Sequence, residues 1–114
     1  MAYVSEYCGQ RIFEWDGSYL SAYCGSRILE FDGQFISEYC GPRLYEWDGS
    51  YLSRYCGPRL YECSGSYVAK YCSSRILELD GQYISEYCGS RIFELDGDIP
   101  VPLLILIGTG RVKR

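Results

Sequence analysis

A phrase of sixteen residues recurs along this chain and keeps its spacing without a slip. Its consensus is Y-C-G-x-R-[IL]-x-E-x-D-G-x-[YF]-[ILV]-S-x, and its period is marked by Cys8, Cys24, Cys40, Cys56, Cys72 and Cys88. Self-similarity at a fixed period is the signature of a repeat architecture, in which each unit is one supersecondary element that stacks on its neighbours. The period therefore constrains the fold more than any local propensity does.

Each unit predicts two short β-strands joined by a tight turn. The segments "RIFEW" (11–15) and "SYLSAYC" (18–24) are rich in branched and aromatic strand formers. Asp-Gly lies between them and is a strong hairpin signal, because tight turns need a positive φ that glycine supplies freely. Cys-Gly marks the second junction, and the prolines at Pro42 and Pro58 fit a turn there. No segment shows helical periodicity, so the sequence predicts an all-β fold.

The charge pattern chooses between two ways of stacking the units. A parallel solenoid would place the six repeated arginines and the six repeated glutamates in like-charge columns, with neighbours about 4.8 Å apart. Each such pair would cost about 1 kcal/mol even in water. An antiparallel meander of hairpins doubles that separation and puts other side chains between the charges. The pattern therefore favours hairpins.

The phase of the repeat indicates that the two ends meet. The chain opens on the half-unit "YVSEYC", which matches a second strand, and the repeat ends on "RIFELDG", a first strand without its partner. Pairing these halves closes a ring and removes the unpaired edges that invite aggregation. We therefore predict six hairpin repeats of 16 residues in a closed pseudo-sixfold ring or barrel.

The register within a hairpin has two possible forms. A two-residue turn at residues 16–17 pairs Glu14 with Tyr19, whereas a bulged turn pairs Ile12 with Leu20. In the first form, one face of the hairpin carries Phe13, Trp15 and Leu20. Both faces hold large apolar residues, so each hairpin is covered on two sides or meets another molecule.

The repeat domain spans residues 1–98, and residues 99–114 form an apolar tail with a basic end. The tail is too short to cross a bilayer, and Pro100 and Pro102 argue against an early helical start. Three roles stay open: the tail plugs the ring, docks on a neighbouring copy, or anchors at a membrane surface through its basic end. The plug or assembly candidates are Leu103, Leu104, Ile105, Leu106 and Ile107, and the basic end comprises Arg111, Lys113 and Arg114.

Composition argues against several kinds of chemistry. The chain contains no histidine, which is the commonest general base and metal ligand. Its net charge is -4 and its basic residues do not cluster on the repeat, so a nucleic-acid partner is not expected. We predict no enzymatic activity, no metal and no cofactor. The N-terminus does not resemble a signal peptide, and seven cysteines are an odd number, which favours reduced thiols and a cytoplasmic location.

The repeated side chains have a structural interpretation and a functional one. Cysteine without a C-x-x-C spacing is expected as a small, partly buried residue beside a turn. The arginines are expected to pair with glutamates or to stack on tyrosines. The aromatic residues are also possible sugar platforms or interface positions. These ligand or interface candidates are Tyr19, Tyr51, Tyr67, Tyr83, Trp15 and Trp47.

Units such as "SRILEFDGQFIS" and "PRLYEWDGSYLS" resemble those of the bacterial β-flower proteins. The shared elements are the I/L-x-E-[WF]-D-G-x-[YF]-[IL] core and the polar-glycine turn before it, over residues 3–98. The resemblance implies hairpin petals arranged radially around an axis and implies no activity or catalytic residue. This chain departs from the usual fourfold form by its six units and by a cysteine in each.

The sequence predicts a non-enzymatic structural or interaction protein that presents a repeated surface, with assembly into a homo-oligomer through the tail as one possible mode. A carbohydrate- or small-ligand-binding module that uses the repeated aromatic positions is the alternative, with a glycan as the partner. A protein that contacts a membrane surface through the tail is the third interpretation.

Overall fold

The computed structural model describes residues 2–112, in which twelve antiparallel strands close into a barrel and one short helix follows. The strands are β1 (Ala2–Glu6), β2 (Arg11–Trp15), β3 (Tyr19–Ala22), β4 (Arg27–Phe31), β5 (Phe35–Glu38), β6 (Arg43–Trp47), β7 (Tyr51–Arg54), β8 (Arg59–Ser64), β9 (Tyr67–Lys70), β10 (Arg75–Leu79), β11 (Tyr83–Glu86) and β12 (Arg91–Asp96). The helix α1 spans Val101–Gly108. The predicted closed barrel of hairpin repeats is confirmed.

The two half-units meet where the barrel closes. Strand β1 pairs antiparallel with β12, and Val4 lies opposite Leu95 at this seam. Every other strand pairs with its two neighbours in sequence, which is the antiparallel meander and not the parallel coil. Closure leaves none of the twelve described strands with an unpaired edge on which another chain could add a strand.

The register of each hairpin differs from both predicted forms. Trp15 lies opposite Leu20, and Glu14 lies opposite Ser21. Neither the predicted pairing of Glu14 with Tyr19 nor that of Ile12 with Leu20 occurs, so both were wrong. The face assignment attached to the first form holds nevertheless, because a pairing shift of two residues preserves the alternation of side chains across a strand.

The register shifts because the turn is centred one residue later than Asp-Gly suggests. The N–H of Asp16 donates to the carbonyl of Tyr19 at 3.2 Å, which leaves Gly17 and Ser18 as the central pair. Gly17 takes the first central position with φ 104°, where glycine is favoured in hairpin turns. The Asp16 carboxylate accepts the N–H groups of Ser18 at 3.0 Å and Tyr19 at 2.8 Å. Aspartate therefore caps the turn from its flank instead of forming its centre.

A β-bulge interrupts the pairing at each second junction. Leu20 lies opposite Leu29, but Ser21 lies opposite Arg27, so Ile28 is the extra residue. The same shift occurs between β1 and β2, β5 and β6, β7 and β8, β9 and β10, and β11 and β12. Ile28 packs against the core. The bulge thus turns an isoleucine inward and leaves the preceding arginine on the outer wall.

The inner face of the barrel forms the core. One residue of each second strand is fully buried there: Val4, Leu20, Ile36, Leu52, Val68 and Ile84. Phe13, Trp15, Leu29, Tyr61 and Leu77 on the first strands join the same cluster. The inner face therefore carries one layer of side chains from every hairpin.

Helix α1 fills the barrel. All residues from Pro102 to Ile107 are buried, which requires that the helix be surrounded on every side. A Cβ added at Gly108 would lie 2.7 Å from Leu77 Cδ1, so the helix backbone closely approaches the wall. Burial of a leucine or isoleucine side chain contributes about 1.5–3 kcal/mol, and the helix buries five of them.

The expectation that the two prolines prevent an early helical start is wrong. The helix begins directly after Pro100, and Pro102 lies in its first turn. Proline is tolerated there because the first N–H groups of a helix have no intrahelical partner. The carbonyl of Pro100 accepts the N–H groups of Leu103 at 3.1 Å and Leu104 at 3.3 Å.

Candidate functional site

The outer wall of the barrel repeats a row of four side chains. One row runs Tyr19, Glu30, Ser37 and Arg43 across strands β3 to β6. The row recurs around the barrel, with phenylalanine once in place of tyrosine and alanine once in place of serine. The wall therefore displays arginine, glutamate and an aromatic ring at regular intervals.

Each of these arginines lies between two aromatic rings. The guanidinium of Arg27 lies 4.1 Å from the ring centre of Tyr19 and 5.5 Å from that of Tyr39. The two rings meet edge to face with centres 5.4 Å apart. A guanidinium over an aromatic face is attracted by the quadrupole of the ring. The arginines that make this contact are Arg11, Arg27, Arg43, Arg59, Arg75 and Arg91.

We call this set of six arginines and their flanking rings the arginine girdle. The bulge at Ile28 supports it, because the bulge places Arg27 opposite Ser21 on the outer wall. The Tyr39 hydroxyl, which accepts a hydrogen bond from Arg27, raises the pKa of that arginine. Of the two predicted contacts for arginine, stacking on an aromatic ring occurs at all six repeated arginines. The accompanying ion pairs go to aspartates, at 3.9 Å from Arg27 to Asp16 and 3.6 Å from Arg11 to Asp96.

The structure separates the predicted aromatic candidates into two groups. Tyr19, Tyr51, Tyr67 and Tyr83 lie in the girdle, each with a guanidinium over one face. Trp15 is buried in the core, and Trp47 packs against it from the inner face. The tryptophans therefore do not share a surface with the tyrosines.

A further set of tyrosines belongs to the girdle and was not among the predicted candidates. These residues precede the cysteines and are the most exposed large hydrophobic side chains, at 40–43%. They are Tyr7, Tyr23, Tyr39, Tyr55, Tyr71 and Tyr87. Their signal was present in the sequence, because they repeat with the same period as the arginines. What sequence alone does not provide is their contact with arginines from another strand.

The repeated cysteines were expected to be partly buried, and this expectation is wrong. All six are exposed free thiols in turns, with φ between 52° and 56°. Cys63 is different: it takes the place of a tryptophan on the inner face and is half-buried, and this burial raises the pKa of its thiol. Among residues 2–112, no three cysteine, aspartate or glutamate side chains come together in a way that could hold a metal ion.

The tail candidates lie away from the surface. Leu103, Leu104, Ile105, Leu106 and Ile107 are at most 7% exposed, inside the barrel. Their side chains therefore do not offer a docking surface to a neighbouring copy or to a lipid. Within the part of the chain that the structure describes, no helix is long and apolar enough to span a bilayer. Of the predicted basic end, Arg111 is described, whereas Lys113 and Arg114 lie outside the described residues.

The fold and its wall define a class: a closed antiparallel barrel of hairpin repeats around an internal helix, with an arginine girdle outside. Comparison with known proteins found no family model, no curated protein and no solved structure that matches this chain.

Proposed function

We propose that this protein is a non-enzymatic structural protein that associates with further copies of itself through the arginine girdle. The observation that carries the proposal is the sixfold repetition of an exposed tyrosine beside an arginine on the outer wall. Tyrosine and arginine are enriched at protein–protein interfaces and dominate their energetic hot spots. Single exposed aromatic residues are common on protein surfaces, whereas a continuous belt of them marks an interaction site.

The charges of the wall favour a second copy as the partner. Each row contains one glutamate and one arginine, so the outer wall presents both signs beside every part of the girdle. Such a surface is complementary to itself, whereas a partner of one charge sign would meet repulsion at every row. Symmetric self-association through one repeated patch is also the commonest form of oligomer.

Light scattering over a concentration series tests the proposal. We expect the mean mass of the wild-type protein to rise above the 13.1 kDa of one chain as concentration increases. High salt should reduce the association, because it screens exposed charges. A triple variant, Tyr39→Ser, Tyr55→Ser and Tyr71→Ser, should remain monomeric with unchanged circular dichroism.

The matched control changes three polar residues at the opposite rim, Ser18→Ala, Gln34→Ala and Ser50→Ala. These residues lie in or beside the Asp-Gly turns and not in the girdle. The control should associate like the wild-type protein. A wild-type chain that stays monomeric up to millimolar concentration, or a tyrosine variant that associates as strongly, would overturn the proposal.

Other assignments from the sequence remain predictions. Carbohydrate binding now depends on the tyrosines alone, and one face of each candidate ring already carries a guanidinium. A glycan array would test it. Membership of the β-flower proteins, a cytoplasmic location and membrane-surface contact likewise stay predictions.

A further inference from the structure

One cavity breaks the sixfold symmetry of the barrel. It lies beside the C-terminal end of α1, between β4 and β6, and has a volume of about 440 Å³. Leu29, Leu44 and Leu106 supply apolar lining, and Tyr45 and Arg111 supply polar groups. A volume of this size is within the range of small-molecule sites, which typically combine an apolar lining with a few polar groups.

The sequence differs from the repeat where this cavity forms. At the third position of the first strands, four units carry phenylalanine or leucine: Phe13, Leu29, Leu77 and Phe93. The other two carry Tyr45 and Tyr61, which add hydroxyl groups to an otherwise apolar inner layer. The Nε of Arg111 donates to the hydroxyl of Tyr61 at 3.0 Å. These substitutions and the arginine meet at the same end of the barrel.

The end of the helix fixes the position of Arg111. Gly110 has φ 78°, and its N–H donates to the carbonyl of Ile107 at 3.2 Å. The N–H of Arg111 donates to the carbonyl of Leu106 at 2.9 Å. These two bonds form a Schellman motif, in which glycine is favoured at the residue of positive φ. The motif directs the chain back over the helix end and places Arg111 at the cavity.

The charges around the cavity favour an anion. Two arginines, Arg27 and Arg111, line it together with one glutamate, Glu38. The guanidinium of Arg27 is already engaged, because it stacks on Tyr19 and Tyr39 in the girdle. Arg111, which follows the end of the helix, is therefore the arginine that we expect to bind the anion. The negative end of the helix dipole is offset here, because the carbonyls of Ile105, Leu106 and Ile107 accept hydrogen bonds.

We propose that this cavity binds a small amphipathic carboxylate. Its apolar part packs on Leu29, Leu44 and Leu106, and its carboxylate accepts hydrogen bonds from Arg111, which has donors beyond the Nε that Tyr61 engages. Tyr45 lies in the same lining, and its hydroxyl group is a further hydrogen-bond donor. This proposal does not depend on self-association through the girdle.

Isothermal titration calorimetry with octanoate, below its micellar concentration, tests the proposal. Octanamide serves as the neutral analogue of the same length. We expect octanoate to bind the full chain. Arg111→Gln should weaken the affinity for octanoate at least tenfold, because a charged hydrogen-bond pair is lost. The same substitution should change the affinity for octanamide less than threefold.

Two further variants locate the site. Arg75→Gln removes an arginine with the same girdle contacts that does not line the cavity, and it should leave octanoate affinity unchanged. Leu29→Phe introduces a residue that the fold already carries at the equivalent positions Phe13 and Phe93. It should fill the cavity and abolish binding of both ligands, with thermal unfolding showing that each variant is folded. No octanoate binding at millimolar concentration, or equal losses in Arg75→Gln and Arg111→Gln, would overturn the proposal.

Discussion

The repeated cysteines occupy a backbone conformation that usually belongs to glycine. Cys24 has φ 55°, in a turn where the N–H of Gly25 donates to the carbonyl of Ala22 at 2.9 Å. A left-handed conformation costs an L-amino acid roughly 1–2 kcal/mol. Gly25 is favoured for a different reason: a Cβ there would lie 3.1 Å from the Cβ of Ala22, a tight contact that the chain accepts at the equivalent Ser73. Steric strain and close approach thus fall on adjacent residues of one turn.

Replacing a turn cysteine with glycine should stabilise the protein. For Cys24→Gly we expect the free energy of unfolding to rise by about 0.5–1 kcal/mol, since relief of strain exceeds the entropy that glycine adds to the unfolded chain. Urea unfolding measures the change. The control Cys24→Ala keeps a Cβ and loses only the thiol, so it should give no gain. An equal gain in both variants would show that the thiol, and not the backbone, was responsible.

At the scale of the hairpin, the aspartates at positions 16, 32, 48 and 80 act as caps of their turns. Hydrogen bonds from the N–H groups of Ser18 and Tyr19 hold the pKa of Asp16 below its ordinary value. Equivalent bonds lower the pKa of Asp32 and Asp48. The fourth unit has Ser64 at this position, and its neighbour Gly65 has φ 62° compared with 104° at Gly17. The missing carboxylate therefore coincides with a different turn conformation.

Restoring the aspartate should stabilise the fourth hairpin at neutral pH. For Ser64→Asp we expect a gain of about 0.5 kcal/mol at pH 7, a low value because the turn is exposed to solvent. A carboxyl with a lowered folded pKa stabilises above its unfolded pKa of 3.8 and loses that contribution as pH falls through the folded value.

Urea unfolding at pH 7 and pH 3 measures this difference between Ser64→Asp and the wild-type protein. The gain should shrink at pH 3. Ser66→Asp, on the other side of Gly65, is the control and should give no comparable gain. A gain that is the same at both pH values would contradict the capping explanation.

At the scale of the whole molecule, α1 and the barrel need each other. A closed barrel of twelve strands encloses more space than its own side chains fill. The helix has apolar residues around its whole circumference, which suits a helix that is buried on all sides. The tail is thus part of the core of the protein and not an appendage.

Removing the helix should therefore abolish the cooperative fold. We expect a chain that ends after Asp98 to lose its cooperative thermal transition. A single Leu106→Ala should lower the free energy of unfolding by about 2–5 kcal/mol, because it leaves a cavity in the core. The control Leu106→Met conserves volume and should cost less than about 1.5 kcal/mol. Circular dichroism during heating measures the unfolding of the truncated chain and of both Leu106 variants. A truncated chain that melts like the full one would contradict the role of the helix.

The candidate site was only partly predictable from sequence. The periodic arginines and tyrosines were evident, and stacking of one on the other was among the expected contacts. The particular rings that contact each arginine could not be predicted. Arg27 contacts Tyr19 and Tyr39 because of a bulge and the stagger of the barrel strands, and no local sequence pattern specifies either feature. The cavity at Arg111 depends on contacts between residues fifty positions apart, such as Arg111 and Tyr61.

The sequence by itself determined that the chain forms antiparallel hairpins and that its first and last half-units join. Both follow from local information: strand propensity, glycine at the turns, charges that oppose a parallel stack, and the phase of the repeat. Only the tertiary structure decided the register, the helical state of the tail and the position of each aromatic side chain. The physical reason is that these features depend on how a twisted sheet closes around a helix, where packing between distant residues outweighs the preference of any single segment.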